Sequence, residues 1–141
     1  MCVNELMRLA GQIQTLGLPE EQEEVLMVQA ADLVRFKESF GGDLEFVDPF
    51  SHRVSLVADE AGMAGICFCG HEDTPAMQQI LTATERFKHL KRVQETWFVF
   101  VGGPGEAFRQ SVSSLMAQHK IKQLYTRVFL LNYFTATLQP L

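Results

Sequence analysis

The chain has 141 residues, of which 47% are hydrophobic and 21% are charged, and its formal net charge at pH 7 is −5. These proportions are typical of a folded globular chain and exclude intrinsic disorder. The acidic balance argues against general nucleic-acid binding, which favours a basic surface.

Two amphipathic helices are predicted at the start of the chain. Apolar residues recur every three or four positions over residues 4–16, which places them on one helical face. Gly17 ends this helix, and Pro19 begins the second at a position where the missing N–H of proline costs nothing. Gly41 and Gly42 end the second helix.

Three short strands follow, at residues 44–47, 54–58 and 64–69. Asp48 and Pro49 separate the first two strands, and a turn at residues 59–62 separates the last two. Such short connections favour an antiparallel meander.

The rest of the chain alternates between helix and strand. Helices are predicted at residues 74–90 and 106–119, and strands at residues 96–101 and 122–134. Both of these strands are apolar nearly throughout, which is typical of strands covered on both faces. The order α-α-β-β-β-α-β-α-β predicts an α/β (α+β) fold with a single mixed sheet. In it an antiparallel meander precedes a parallel β-α-β unit, helices cover both faces, and residues 1–141 form one domain.

The compartment follows from negative signals. Residues 1–18 lack the basic start and apolar run of a signal peptide, and no apolar stretch approaches the roughly 20 residues that span a bilayer. The three cysteines, Cys2, Cys67 and Cys69, form no disulfide framework. We therefore expect a cytoplasmic protein with reduced thiols and no membrane partner.

A glycine-rich turn joins the strand at 96–101 to the helix at 106–119. Free N–H groups at a helix N-terminus can hold a phosphate or a carboxylate, and ligands of α/β sheets sit at the carboxyl ends of strands. Gly102, Gly103 and Gly105 are therefore candidate ligand-binding residues. The turn matches no phosphate-binding motif and Glu106 would repel phosphate, so a tight turn that needs positive φ is the alternative, and no cofactor is predicted.

A second candidate site is Cys67-Phe68-Cys69-Gly70-His71. The two thiols point to the same face of a strand, and His71 joins them only if the strand continues past Gly70. Thiolate and imidazole are good zinc ligands, but this spacing supplies at most three of them. Two small buried core residues are the alternative, and a redox role is the third possibility.

Charged residues offer two weaker candidates. Seven carboxylates lie near strand ends or in turns: Asp43, Glu45, Asp48, Asp59, Glu60, Glu72 and Asp73. Converging carboxylates could support acid–base or metal-dependent chemistry, although Asp is also common in turns. A local basic strip, or simply a solvated helix end, is formed by Arg86, Lys88, Lys91 and Arg92.

Apolar side chains on the first helix and the last strand could serve an interface. The candidates are Leu6, Leu9, Ile13, Phe129, Leu131 and Tyr133. An exposed edge strand or an unpartnered helix face would favour pairing with a second chain, and packing within the chain is the alternative.

The hairpin at residues 55–66 resembles the central hairpin of the acetyltransferase superfamily that uses acyl-coenzyme A. This resemblance implies a pantetheine slot between splayed strands, here the pair 96–101 and 122–134. It also implies a pyrophosphate loop at residues 70–75, where this sequence is acidic and lacks the glycine pattern.

The order of helix, three strands, helix and strand also resembles the restriction-endonuclease-like fold. That resemblance places a catalytic acid near Asp59 and an acid–x–lysine pattern on residues 67–69, which are Cys-Phe-Cys here. It therefore implies an inactive site.

We expect a non-enzymatic regulatory or protein-interaction domain that associates with itself, as a homodimer, and does not bind nucleic acid. The prediction depends on the missing catalytic set, cofactor loop and basic surface, together with the apolar residues of the first helix and last strand. The alternative is an acyl-coenzyme A-dependent N-acyltransferase-like protein with a degenerate cofactor loop. A small zinc-binding protein or an inactive nuclease-like fold is the third possibility.

Overall fold

A computed structural model describes residues 2–51, 54–85, 93–103 and 105–141. Its helices are α1 (Val3–Thr15), α2 (Glu20–Phe40), α3 (Met77–Glu85), α4 (Glu106–His119) and α5 (Ile121–Leu124). Its strands are β1 (Glu45–Ser51), β2 (Val54–Asp59), β3 (Gly62–Gly70), β4 (Glu95–Gly102), β5 (Arg127–Asn132) and β6 (Thr137–Pro140). A 3-10 segment, His71–Ala76, precedes α3.

All six strands form one mixed sheet in which spatial order equals chain order, from β1 to β6. The pairs β1–β2 and β2–β3 are antiparallel, and β4–β5 is parallel, so the predicted fold class is confirmed. The parallel part is larger than predicted, because β3 also runs parallel to β4. α3 is the crossover between β3 and β4, and α4 is the crossover between β4 and β5.

The predicted last strand, at residues 122–134, is wrong in its bounds. Residues 121–124 form the short helix α5, and the strand breaks after Asn132. The side-chain oxygen of Asn132 accepts hydrogen bonds from the backbone N–H groups of Phe134 and Thr135, at 3.1 and 3.3 Å. This local turn competes with continued strand, and it starts a hairpin that adds β6 antiparallel to β5.

Strand β4 is buried on both faces. Trp97, Val99 and Val101 pack with residues of α2, whereas Phe98 and Phe100 pack with residues of α3 and α4. Each fully buried side chain of this size contributes roughly 1.5–3 kcal/mol. The helices therefore form two layers, α1 and α2 on one face of the sheet and α3 to α5 on the other, as predicted.

An aromatic cluster joins α2 to the sheet. Phe36 of α2 lies 6.1 Å from Trp97 and 5.5 Å from Phe129, measured between ring centroids. Phe40 stacks on Trp97 at 5.4 Å. The Arg127 guanidinium lies over the rings of Phe129, Trp97 and Phe40, at 4.8, 5.0 and 5.7 Å, so a cation covers the open end of the cluster.

The acyl-coenzyme A resemblance implied a slot between two strands. β4 and β5 instead pair continuously, from Trp97 opposite Arg127 to Gly102 opposite Asn132, so these strands do not splay. Among the described helices none has the length and apolarity needed to cross a bilayer.

A buried hydrogen bond ties α3 to the segment before β5. The Tyr125 hydroxyl donates to Thr84 Oγ1 at 2.5 Å, and Thr84 in turn donates to the Leu81 carbonyl. Burial raises the pKa of the Tyr125 hydroxyl above its ordinary 10.0, with a smaller contribution from nearby Cys67. The folded state therefore favours the protonated tyrosine.

Tyr125→Phe should lower the free energy of unfolding by about 1 kcal/mol at neutral pH, because one buried hydrogen bond is lost. In the wild type the raised pKa predicts stability that is fully present below pH 10 and falls above it, as the unfolded chain ionises first. In urea unfolding above pH 10, the free energy of unfolding of Tyr125→Phe should fall less steeply with pH than that of the wild type. The control Tyr133→Phe, at a partly exposed tyrosine, should keep most of the wild-type dependence on pH. If the unfolding free energies of wild type and Tyr125→Phe fall equally steeply, the raised pKa does not belong to Tyr125.

Candidate functional site

A cleft of about 300 Å³ opens where β4 and β5 end and α4 begins. The β5–β6 hairpin forms one side, through the paired positions Leu130 opposite Gln139 and Asn132 opposite Thr137. The first turn of α4 forms the other side. Since β4 and β5 are parallel, this is the carboxyl edge of the sheet, where ligands of such sheets bind.

The three predicted ligand-binding glycines all lie at this edge, but they differ in position. Gly103 and Gly105 line the cleft, and Gly102 does not. A Cβ at Gly102 would lie 2.4 Å from Phe108 Cζ, and one at Gly103 would lie 3.2 Å from Phe134 Cε2. Gly105 has φ of +147°, which side chains rarely adopt. A side chain is thus disfavoured at each of the three positions, for a different reason in each case.

Two opposite charges face the cleft from α4. Glu106 and Arg109 are three residues apart on its first turn, and both line the cleft. Neither side chain makes a hydrogen bond or an ion pair with any residue that the structure describes. The cleft therefore offers one cation and one anion, both free to meet a ligand.

Neutral polar groups complete the cleft. The Thr135 and Thr137 hydroxyls lie 2.8 Å apart and share a hydrogen bond. Asn132 uses its oxygen to close the turn, and its NH₂ group has no partner among the described residues. Gln139 lines the cleft from β6. Hydroxyl and amide groups can donate and accept, so they suit a polar, uncharged part of a ligand.

Arg109 and the hairpin residues of the cleft were not predicted as site residues. Arg109 follows the glycine turn by one helical turn, and this spacing was available as a signal. Asn132 was predicted to lie inside a strand that ends at residue 134, and no element was predicted for Thr135 or Thr137, so their convergence at the turn could not be predicted.

Two of the three predicted metal ligands, the cysteines, have side chains that the structure describes. Cys67 and Cys69 are buried, and both belong to the apolar cluster beneath α3 and α4. The side chain of His71 lies outside the described residues. Within the described ranges no group of three or more His, Cys, Asp or Glu side chains could hold a metal ion.

Two of the candidate carboxylates bind backbone N–H groups at strand ends, and Asp48 lies within β1 at a shift in its register with β2. Asp59 accepts hydrogen bonds from the backbone N–H groups of Ala61 and Gly62, and Asp73 accepts one from Gly70. Asp48 accepts a long one, 3.4 Å, from the N–H of Phe50. The basic strip, Arg86, Lys88, Lys91 and Arg92, lies outside the described residues.

The predicted interface residues pack within the chain. Leu9 and Ile13 are buried between α1 and α2, with Leu6 partly buried beside them. Phe129 and Leu131 are buried beneath α2, and Tyr133 is partly buried there. Both faces of β5 are covered and β6 occupies its edge.

No protein-family model, no curated protein and no solved structure matches this chain.

Gly102→Ala should lower the free energy of unfolding by about 1–3 kcal/mol, because the new methyl group overlaps the Phe108 ring. The cost should shrink in a Phe108→Leu background, which removes the overlapping atoms. Gly11→Ala is the matched control: its Cβ would meet nothing within 4 Å on exposed α1, so stability should rise by about 0.5–1 kcal/mol. Equal effects of the two alanines in urea unfolding would contradict the steric role of Gly102.

Proposed function

We propose that this chain is a non-enzymatic regulatory or protein-interaction domain that pairs with a second copy of itself through the outer side of α1. The observation that carries the proposal is a set of exposed apolar side chains. Val3 and Met7 are 62% and 66% exposed and lie one helical turn apart on α1, on the side away from Leu9 and Ile13.

The outer stripe of α1 consists of Val3, Met7, Ala10 and Gln14, of which Ala10 is half-buried and Gln14 is polar. Their spacing of four, three and four residues places them along one side of the helix. Single exposed apolar residues are common on any surface, whereas aligned ones are typical of an interaction surface.

Charge favours α1 over α2 as the contact between two copies. Val25 and Val28 of α2 are also exposed, but Glu21 and Glu24 lie close to them on the same helix. A two-fold axis there would bring like charges together. The only carboxylate of α1, Glu5, already pairs with Lys37 at 2.9 Å.

The stripe also limits the strength of the contact. Thirteen helical residues span about 20 Å, so one helix pair buries less than the roughly 1,200 Å² of a stable interface. We therefore expect a weak dimer that forms at high micromolar concentration.

Light scattering coupled to size exclusion should show a mass that rises from the 15.9 kDa of one chain toward twice that value as concentration increases. Met7→Glu should keep the protein monomeric, because two buried carboxylates would face each other. Val28→Glu, an equally exposed position on α2, is the control and should leave the association unchanged.

Circular dichroism should show that both variants keep the helical content of the wild type. A wild-type mass of one chain at every concentration, or equal effects of Met7→Glu and Val28→Glu, would overturn the proposal.

A further inference from the structure

We propose that the cleft between α4 and the β5–β6 hairpin binds an α-amino acid with an uncharged polar side chain. Arg109 would hold the α-carboxylate and Glu106 the α-ammonium group. This cleft is separate from the proposed dimer surface, since it lies on the α4 side of the sheet and α1 lies over the opposite face.

The two charges of the cleft set the ligand class. Arginine binds carboxylates through two parallel N–H groups, and glutamate accepts hydrogen bonds from ammonium groups. Although only three residues apart, Glu106 and Arg109 do not pair with each other within 4 Å. An α-amino acid carries both charges on one carbon and can bridge them.

Ligands of a single charge fit less well. Glu106 would repel a phosphate or a simple carboxylate, and Arg109 would repel a simple amine. The volume of about 300 Å³ is at the lower end of the range for small-molecule sites, which suits a metabolite of amino-acid size.

The remaining groups of the cleft indicate the side chain of the ligand. Thr135, Thr137, Asn132 and Gln139 present hydroxyls and amides, and among the described lining residues only Glu106 and Arg109 carry charge. A ligand side chain that ends in an amide or a hydroxyl would find donors and acceptors there, as in glutamine, asparagine or serine.

The test is a titration of the full ¹⁵N-labelled chain, followed by two-dimensional amide NMR. L-glutamine, L-asparagine and L-serine are the probes. At least one of them should produce saturable shifts at the amides of Gly103, Gly105, Thr135 and Thr137. For glutamine the matched analogues are glutaramic acid, which lacks the α-amino group, and 4-aminobutanamide, which lacks the carboxylate; each should bind at least about tenfold more weakly.

Variants assign the two charges. Arg109→Gln and Glu106→Gln should each weaken binding of the active probe at least about tenfold, since each removes a charge-assisted hydrogen bond. Arg8→Gln, an exposed arginine on α1, should leave affinity unchanged. The amide spectra of the free variants should match the wild type away from the substituted residue, which shows that folding is retained.

Three results would overturn the inference: no saturable shift with any probe, binding of the analogues as strong as that of the amino acid, or an Arg8→Gln effect equal to that of Arg109→Gln. The dimer test measures molar mass and its dependence on α1, whereas the ligand test measures amide shifts at the cleft. Either proposal can therefore fail without the other.

Discussion

Burial of β4 on both faces is the constraint on which the rest of the structure depends. Trp97 and Phe98 are both fully buried, yet they point to opposite sides of the sheet. A strand of this kind needs a neighbour on each edge and a helical layer on each face. β3 and β5 supply the edges, α2 supplies one layer, and the two crossover helices supply the other.

The same constraint creates the cleft. β4 ends at Gly102, and α4 must turn back at once to cover Phe98 and Phe100. Phe108 enters from the first turn of α4 and packs directly on Gly102, where a Cβ would overlap the Phe108 ring. The first helical turn is thereby held beside the β5–β6 hairpin, with Glu106 and Arg109 at the opening between them. A packing requirement thus sets the position of the only two charged side chains among the described lining residues.

Apolar periodicity predicted the elements whose burial pattern is visible in their own sequence. It failed where a single polar side chain ends an element. The apolar spacing of α1 and the continuous apolar run of β4 are direct consequences of burial, so both elements could be predicted from sequence. The break after Asn132 depends on one side-chain oxygen that binds two backbone N–H groups, and apolar patterning carries no trace of it. Missing this turn also hid the polar side of the cleft, because Thr135 and Thr137 come together only when the chain reverses. The interface prediction met a related limit: the apolar stripe of a helix has the same pattern whether it packs on its own chain, as Leu9 and Ile13 do, or on a partner.

The two proposed surfaces lie on opposite faces of the sheet, and the described contacts connect them at the turn between β5 and β6. Thr135 of this turn lines the cleft, while the carbonyl of Phe134, its neighbour, accepts a hydrogen bond from Arg35 of α2 at 3.2 Å. Arg35 also lies over the Tyr133 ring at 5.5 Å and pairs with Glu38 at 2.9 Å. Glu38 in turn accepts a hydrogen bond from the backbone N–H of Cys2, at the start of α1, and although partial burial opposes it, this bond and that from Arg35 lower the pKa of Glu38. A chain of polar contacts therefore runs from the turn beside the cleft, through Arg35 and Glu38 of α2, to the start of α1.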